Sequence, residues 1–456
     1  MRRLLLVVAL SLAVVAPASA EVRLAALFAD GVVLQRERDI PVWGTATPGA
    51  DVTVALDDDS QRAKAGADGK WQVRLAPRKA GGPHVLKVQE AGAAQAVEVK
   101  DVLVGEVWLA SGQSNMHWTF SHNIRDKEKE LDAANDPQLR QFTVGKGQAK
   151  QPADDVKGSW HRADRAGLLA EGTNGSSAVG YFFGRALRRE LKVPVGIINS
   201  SVGGTPIEQW SPGGGLFNNM IHPLAPFALR GAVWYQGESN CIGRAGMKYV
   251  DLKNKMVTGW RDLWKQGEFP FYYVQIAPYT YTARPMPKLP SYILPEFWQA
   301  QTAVMAAVPK TGMVVINDLV DNVRDIHPAN KQDVGERLAR WALANDYGRS
   351  DLEYSGPTFR EAIGEGASIR VRFDHARGLT SRDGEQLSHF LLAGKDRTFH
   401  PAVATIDGDA VVVRSAKVTN PVAVRFAWDE QAMPNLVNQA GLPTSSFRSD
   451  DWPLEE

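Results

Sequence analysis

The sequence predicts an α/β core built on a parallel sheet and set between two β-rich segments. Three observations predict it. Apolar strand-like runs alternate with amphipathic helical stretches from about 101 to 348, the pattern of βαβ units whose sheet is covered on both faces. Short runs divided by turn residues fill 21–100, as in a small N-terminal β-sandwich, and strand-like alternation returns over a β-rich C-terminal domain, 349–456. The chain has 456 residues, more than one ordinary domain of roughly 100–200 residues holds.

The N-terminus comes first in order. Arg2 and Arg3 precede an apolar stretch from Leu4 to Val15, and Pro17-Ala-Ser-Ala20 adds small residues before Glu21. That is the order of a secretory signal peptide, so 1–20 is read as a leader and the mature chain as secreted or periplasmic. The apolar run is too short to span a bilayer comfortably. In 21–100, Val32-Val33-Leu34, Val52 to Leu56, Trp71 to Leu75 and His84 to Val88 are strand-like. Pro48-Gly49, Asp68-Gly69 and Gly81-Gly-Pro83 supply turns between them.

In the core, Val102 to Ala110, Pro194 to Asn199, Gly231 to Tyr235, Phe271 to Ile276 and Gly312 to Asn317 read as strands. Ser177 to Lys192, Ala245 to Lys265 and Pro295 to Val308 read as helices. A last helix is expected from Pro328 to about Asn345, with proline in its first turn. Crossovers between parallel strands should be right-handed. Beyond 349, Ala367 to Phe373, Ala410 to Arg414 and Pro421 to Phe426 alternate as strands do.

Composition narrows the function classes. Net charge is +1, with 44% hydrophobic and 23% charged residues, and no basic stripe points to nucleic acid. Cys241 is the only cysteine, so it forms no internal disulfide and no cysteine-rich metal site. It is read as a small loop residue. Oligomeric state is open.

Ligands of an open parallel sheet bind beyond the carboxyl ends of its strands. Four polar clusters fall there. Gly112-Gln-Ser-Asn-Met116 follows the first core strand, and a strand-to-helix turn would expose the Ser114 hydroxyl. Met116 stands where a lipase elbow has its second glycine. Ser200-Ser-Val-Gly-Gly-Thr205 offers backbone N–H donors at Gly203 and Gly204. In Trp234-Tyr-Gln-Gly-Glu-Ser-Asn240, Gln236 is a candidate side-chain donor to an oxyanion, and Glu238 a brace. Asp325-Ile-His-Pro328 carries His327, a candidate base held at a loop. Trp118, Trp210 and Trp234 lie near these clusters, either as sugar platforms or as core.

With these four strings in order, the chain resembles the sialate O-acetylesterase family of SGNH (GDSL-like) hydrolases. The resemblance runs from Val107-Trp-Leu-Ala-Ser-Gly-Gln-Ser-Asn-Met116, through Gly203 to Trp210 and Val233 to Asn240, to Asp325 to Leu338. It implies a flavodoxin-like three-layer sandwich. It implies Ser114 as nucleophile and His327 as general base, then general acid. The oxyanion hole would be the Ser114 N–H, an N–H of Gly203 or Gly204, and the Gln236 amide, with Asn115 and Glu238 in support. Many members carry aspartate three residues before the histidine, where this chain has Arg324. Asp325, Asp321, Asp318 or a backbone carbonyl are the alternatives for orienting the ring. The implied reaction uses no cofactor and no metal, and the implied partner is an acetylated carbohydrate.

The alternatives are an acetyl esterase for plant polysaccharide such as xylan or pectin, a carbohydrate-binding protein without activity, and a lipid esterase. A sialate carboxylate would want an arginine nearby, with Arg125, Arg244 and Arg324 as candidates. No dedicated apolar cap for an acyl chain stands out. For the leader, intact mass of exported protein should give a chain beginning at Glu21; a mass retaining Met1 would refute cleavage after Ala20.

Overall fold

In the computed structural model, which describes residues 22–454, the core sheet forms around one long strand. The leader expected over 1–20 lies outside the described residues. The strands are β1 (Val97–Gly112), β2 (Asn135–Val144), β3 (Gly158–Asp164), β4 (Val195–Ser201), β5 (Gly231–Tyr235), β6 (Phe271–Val274) and β7 (Thr311–Val314). They lie in the order β3-β2-β4-β1-β5-β6-β7. Every neighbouring pair is parallel except β3 with β2. All residues of β4 and β5 are buried, as expected of parallel strands covered on both faces.

Four longer helices cover this sheet: α1 (Ala178–Leu191), α2 (Tyr249–Trp264), α3 (Ile293–Ala307) and α4 (Lys331–Asp346). Neighbours on a strand point to opposite faces. Tyr272 donates its hydroxyl to Asp346 of α4 at 2.7 Å, and Tyr273 donates to the Gln301 carbonyl of α3 at 2.6 Å. Hence α4 and α3 lie on opposite faces. The α1 helix joins α4, where a Cβ on Gly335 would come within 2.6 Å of Phe182. The α2 helix joins α3, with the Tyr249 and Phe297 rings 4.6 Å apart. The helix ends follow local chemistry. Ser177 caps α1 by accepting from the Gly180 N–H at 3.0 Å.

Two local expectations change. The last helix begins at Lys331 and not at Pro328, because Asn330 caps it by accepting from the Asp333 N–H at 3.1 Å. The strands β2 and β3 were not expected. Pro137 interrupts the β2 pattern. It is tolerated near the start of the strand, and the pair extends the sheet at one edge.

The N-terminal segment forms two sheets. Arg23–Leu24, Ile40–Thr45 and Lys70–Leu75 make one. Asp59–Lys64, Asp51–Leu56 and Gly81–Glu90 make the other, which ends on the first half of β1. So β1 runs unbroken through residues 100 and 101, where the sequence suggested a domain boundary. At its midpoint the fully buried Glu106 carboxylate accepts from Arg36 at 2.5 Å, Arg230 at 2.9 Å and Tyr347 at 2.9 Å. Burial alone would raise this carboxyl, but the two arginines hold it below its ordinary value. The C-terminal segment is β-rich with a separate core around Val371, Val411 and Phe426. It docks on loops beyond β6 and β7. Gln275 donates to Ser445 at 2.9 Å, and Asn317 donates to the Thr444 carbonyl at 2.9 Å. No helix among the described residues is long and apolar enough to cross a membrane.

One core residue breaks the usual pattern. Lys253 of α2 is fully buried, and its Nζ finds no hydrogen-bond partner among the described residues. It lies 4.8 Å from the Trp234 ring, 5.0 Å from Phe271 and 4.7 Å from Tyr273. Ring faces offset part of the cost of a buried cation, yet burial still pushes the amine well below its ordinary value. Lys253→Met should raise unfolding stability by about 1–3 kcal/mol at pH 7. The folded state binds the proton less well, so the penalty on the parent shrinks as pH rises toward the unfolded value of about 10.4. Denaturant midpoints at pH 7 and pH 9.5 check both the gain and its narrowing.

Candidate active site

The chain leaves β1 toward β2 and β4 on one side, then crosses to β5 on the other. The carboxyl ends of β4, β1 and β5 therefore surround a topological switch point, where such sheets bind ligands. Three of the four expected clusters follow these ends. Gly112 has φ +139°, and a Cβ there would come within 2.1 Å of the Tyr235 carbonyl. Only glycine permits this close crossing of β1 and β5. Gln113 then stitches the two loops together. Its N–H donates to the Tyr235 carbonyl at 2.9 Å, and its side-chain oxygen accepts from the N–H groups of Gly237 and Ser239. Ser114 opens the short helix Ser114–His117 and is part-exposed.

The fourth cluster arrives from 213 residues away, and His327 Nε2 lies 2.9 Å from Ser114 Oγ. This is the hydrogen-bond distance that a nucleophile and its base require. The imidazole stacks on Trp118, with centroids 4.1 Å apart and planes at 15°. Trp118 also stacks with His122 at 4.2 Å. Burial, then Lys331, lowers the His327 imidazole to about 4, against the opposing pull of Asp325. The ring is therefore unprotonated at neutral pH and able to accept a proton.

The expected third member does not hold the ring. Asp325 Oδ1 is 3.9 Å from His327 Nδ1, too long for a hydrogen bond. The same oxygen accepts from the His327 backbone N–H at 2.9 Å, which shapes the loop. Asp318 is committed to Arg337 through two bonds of 2.7 and 2.6 Å. Asp321 is exposed. Arg324 is exposed as well.

Asn115 joins the elements beneath the pair. Its amide donates to Glu238 Oε1 at 2.6 Å and to the Ile326 carbonyl at 3.0 Å, and its oxygen accepts from Lys331 Nζ at 2.5 Å. All three side chains are buried. Burial raises the Glu238 carboxyl, with Asn115 and Lys331 opposing. Gly203 lies beside the nucleophile, since a Cβ on it would sit 3.4 Å from Ser114 Cβ. Gly204 has φ +71° and open space around it.

Gln236 differs from its expected part as a free donor. Its amide nitrogen donates to the Thr205 carbonyl at 3.1 Å and to Asn240 Oδ1 at 2.7 Å, which uses both hydrogens. Its oxygen accepts from the Tyr249 hydroxyl at 2.9 Å. So arranged, it braces the loop that carries Gly203 and Gly204. Trp210 and Trp234 are wholly buried and present no face to a sugar. Arg125 pairs with Asp333 at 3.2 Å, and Arg244 donates to the Lys288 carbonyl at 2.5 Å. Cys241 is buried and its thiol is pushed well above its ordinary value, which keeps it unreactive.

Two contributors differ from the sequence reading, Trp118 in its role and Lys331 in having had none. Trp118 was weighed as a sugar platform, but it faces the histidine. Lys331 stands in the motif string after His327, and its signal is a cation at the first residue of a helix, where the macrodipole disfavours one.

Comparison with known proteins places the chain in a family. A family model described as carbohydrate esterase, sialic acid-specific acetylesterase, matches residues 104–344. The sialate O-acetylesterase of Rattus norvegicus is 30% identical over 490 residues, covering 89% of this chain and 89% of its own length. That of Homo sapiens is 33% identical over 393 residues, covering 74% and 73%. The crystal structure of a carbohydrate acetylesterase from Xanthomonas citri superposes with a TM-score of 0.88 at 41% identity, covering 94% of this chain and 100% of that one. The chain is thus a carboxylic ester hydrolase of the carbohydrate O-acetylesterase class. It belongs to the sialic acid-specific acetylesterase family.

The missing Asp325 bond has a kinetic consequence. Asp325→Asn should lower kcat/KM by less than about tenfold, whereas losing an aspartate that orients a triad histidine costs about 10⁴-fold. The acidic limb of kcat/KM should move to lower pH, because Asp325 raises the proton affinity of His327. A pH–rate series on p-nitrophenyl acetate checks both. A loss above 10³-fold would return Asp325 to the triad.

Proposed function

We propose that the chain is an exported serine esterase of the SGNH type, which removes O-acetyl groups from carbohydrate through a Ser114–His327 dyad. The observation that carries this reading is the 2.9 Å contact of His327 Nε2 with Ser114 Oγ at the switch point of the sheet. His327 takes the Ser114 proton as Oγ attacks the acetyl carbonyl carbon. The tetrahedral oxyanion collapses, the bond to the sugar oxygen breaks, and the imidazolium protonates that oxygen. Water then repeats the sequence on the acetyl-serine, releasing acetate and restoring the hydroxyl. The oxyanion donors are the backbone N–H groups of Ser114 and Gly203, with Gly204 adjoining. Gln236 acts by holding Thr205, and through it the glycine loop. Trp118 and the loop bond to Asp325 orient His327 in place of a carboxylate on Nδ1.

The substrate proposed first is an O-acetylated sialic acid, in line with the names of the mammalian relatives. A second reading, an acetylated plant polysaccharide, is favoured by two of the three candidate arginines. Arg125 and Arg244 are held by protein partners, and Arg324 is exposed. The leader pattern supports release to the periplasm or beyond.

Ser114→Ala should reduce acetate release by at least about 10⁴-fold with the fold retained, and His327→Ala by a similar factor. Undiminished turnover in either variant would refute the dyad. An acetate-release screen over acetylated sialosides, xylans and pectins decides the substrate. Sialosides should react fastest, and a tenfold preference for polysaccharide would establish the second reading.

A further inference from the structure

Lys331 is the buried cation beneath the site, and the reaction above does not use it. It has no exposed surface, and it is the first residue of α4. Both placements are unfavourable: burial strips a cation of water, and the positive end of a helix dipole repels it. Its contacts are specific. Nζ lies 2.5 Å from Asn115 Oδ1, 5.9 Å from the Trp118 ring and 5.5 Å from the Tyr235 ring. An ammonium can only donate, so it dictates which way the Asn115 amide faces. With Oδ1 held toward Lys331, the Asn115 amide nitrogen must face Glu238 Oε1 and the Ile326 carbonyl, as it does. Ile326 precedes His327, and Asn115 follows Ser114. One amide therefore ties the nucleophile turn to the loop of the base.

We infer that Lys331 is a positioning residue for the Ser114–His327 pair: it locks the Asn115 amide between the two loops and sets a positive charge near the imidazole. The inference rests on the dyad reading proposed above. The groups that face His327 are Lys331, Asp325, His122, Trp118 and Ser114. Those that face Lys331 are Glu238, Asp325, Asn115, Trp118 and Tyr235. Burial lowers the Lys331 amine to about 7, with Glu238 and Asp325 opposing. Lys331 is therefore charged across the acidic range in which His327 would take up a proton. It opposes that protonation and keeps the base free. Without the charge, protonation of His327 begins at higher pH, and activity is lost earlier as pH falls.

The test compares Lys331→Met and Lys331→Gln with the parent chain on p-nitrophenyl acetate across pH, with Ser114→Ala alongside. Lys331→Met should lower kcat by about 10–100-fold with KM little changed, because the two loops lose their common tie. In both variants the acidic limb of kcat/KM should move up by about half a pH unit or more, toward the ordinary histidine value of about 6.5. The melting temperature of Lys331→Met should change little, since loss of an unfavourable buried charge offsets the Asn115 oxygen left without a donor. A merely structural lysine predicts a lower melting temperature and an unmoved limb, and an unmoved limb in the variants overturns the inference. Should Lys331→Met not fold, Lys331→Gln decides by the same limb, because it keeps a donor for Asn115 without the charge. Full turnover in Ser114→Ala would instead bring down the dyad itself. An inactive Ser114→Ala beside an unmoved limb brings down only the role of Lys331.

Discussion

The strand Val97–Gly112 is the constraint on which the other parts depend. Its first half closes the N-terminal sheet, and its second half is the centre of the core sheet. Glu106 sits between the halves and holds Arg36, Arg230 and Tyr347 from three other parts of the chain. A buried carboxylate with this many partners tolerates little displacement, since each lost bond would leave an uncompensated charge. The strand ends at Gly112, whose backbone crosses the Tyr235 carbonyl too closely for any side chain. The position of Ser114, two residues on, is thus inherited from two packed units.

The site beyond that strand works through burial more than through direct pairing. A carboxylate bonded to Nδ1 would hold a triad histidine in place and stabilise its charged form. Here the ring is held by stacking on Trp118, and a nearby lysine disfavours its protonation. In the proposed dyad mechanism, such a base is free at neutral and mildly acidic pH but gains less from protonation, so more of the stabilisation would fall to the proposed oxyanion donors. That gives weight to the glycine loop. The chain from Tyr249 through Gln236 to Thr205 and Asn240 holds this loop with fully used hydrogen bonds. Donors fixed in this way need no reorganisation when charge develops.

Much of this was legible in sequence, for a local reason. Apolar runs and helical spacing report which face of each element is buried, and they placed β1, β4, β5, β6 and β7 and the four longer helices. The motif around Ser114 could be read because it follows a strand end, and the rule for open sheets says what strand ends do. Where several local signals compete, the reading faltered. Pro137 masked β2, and Pro328 claimed a helix start that Asn330 takes by capping.

The candidate nucleophile, the candidate base and the parallel sheet follow from residue type and spacing within short segments. Only the folded arrangement decides what lies across them. It puts His327 against Ser114 over a separation of 213 residues. It leaves Asp325 3.9 Å from the ring nitrogen, turns Trp118 toward the histidine, commits the Gln236 amide to the protein, and draws Lys331 under Asn115. Each of these depends on distances of a few ångströms between segments far apart in the chain. Periodicity sets the side on which a residue lies but does not set those distances.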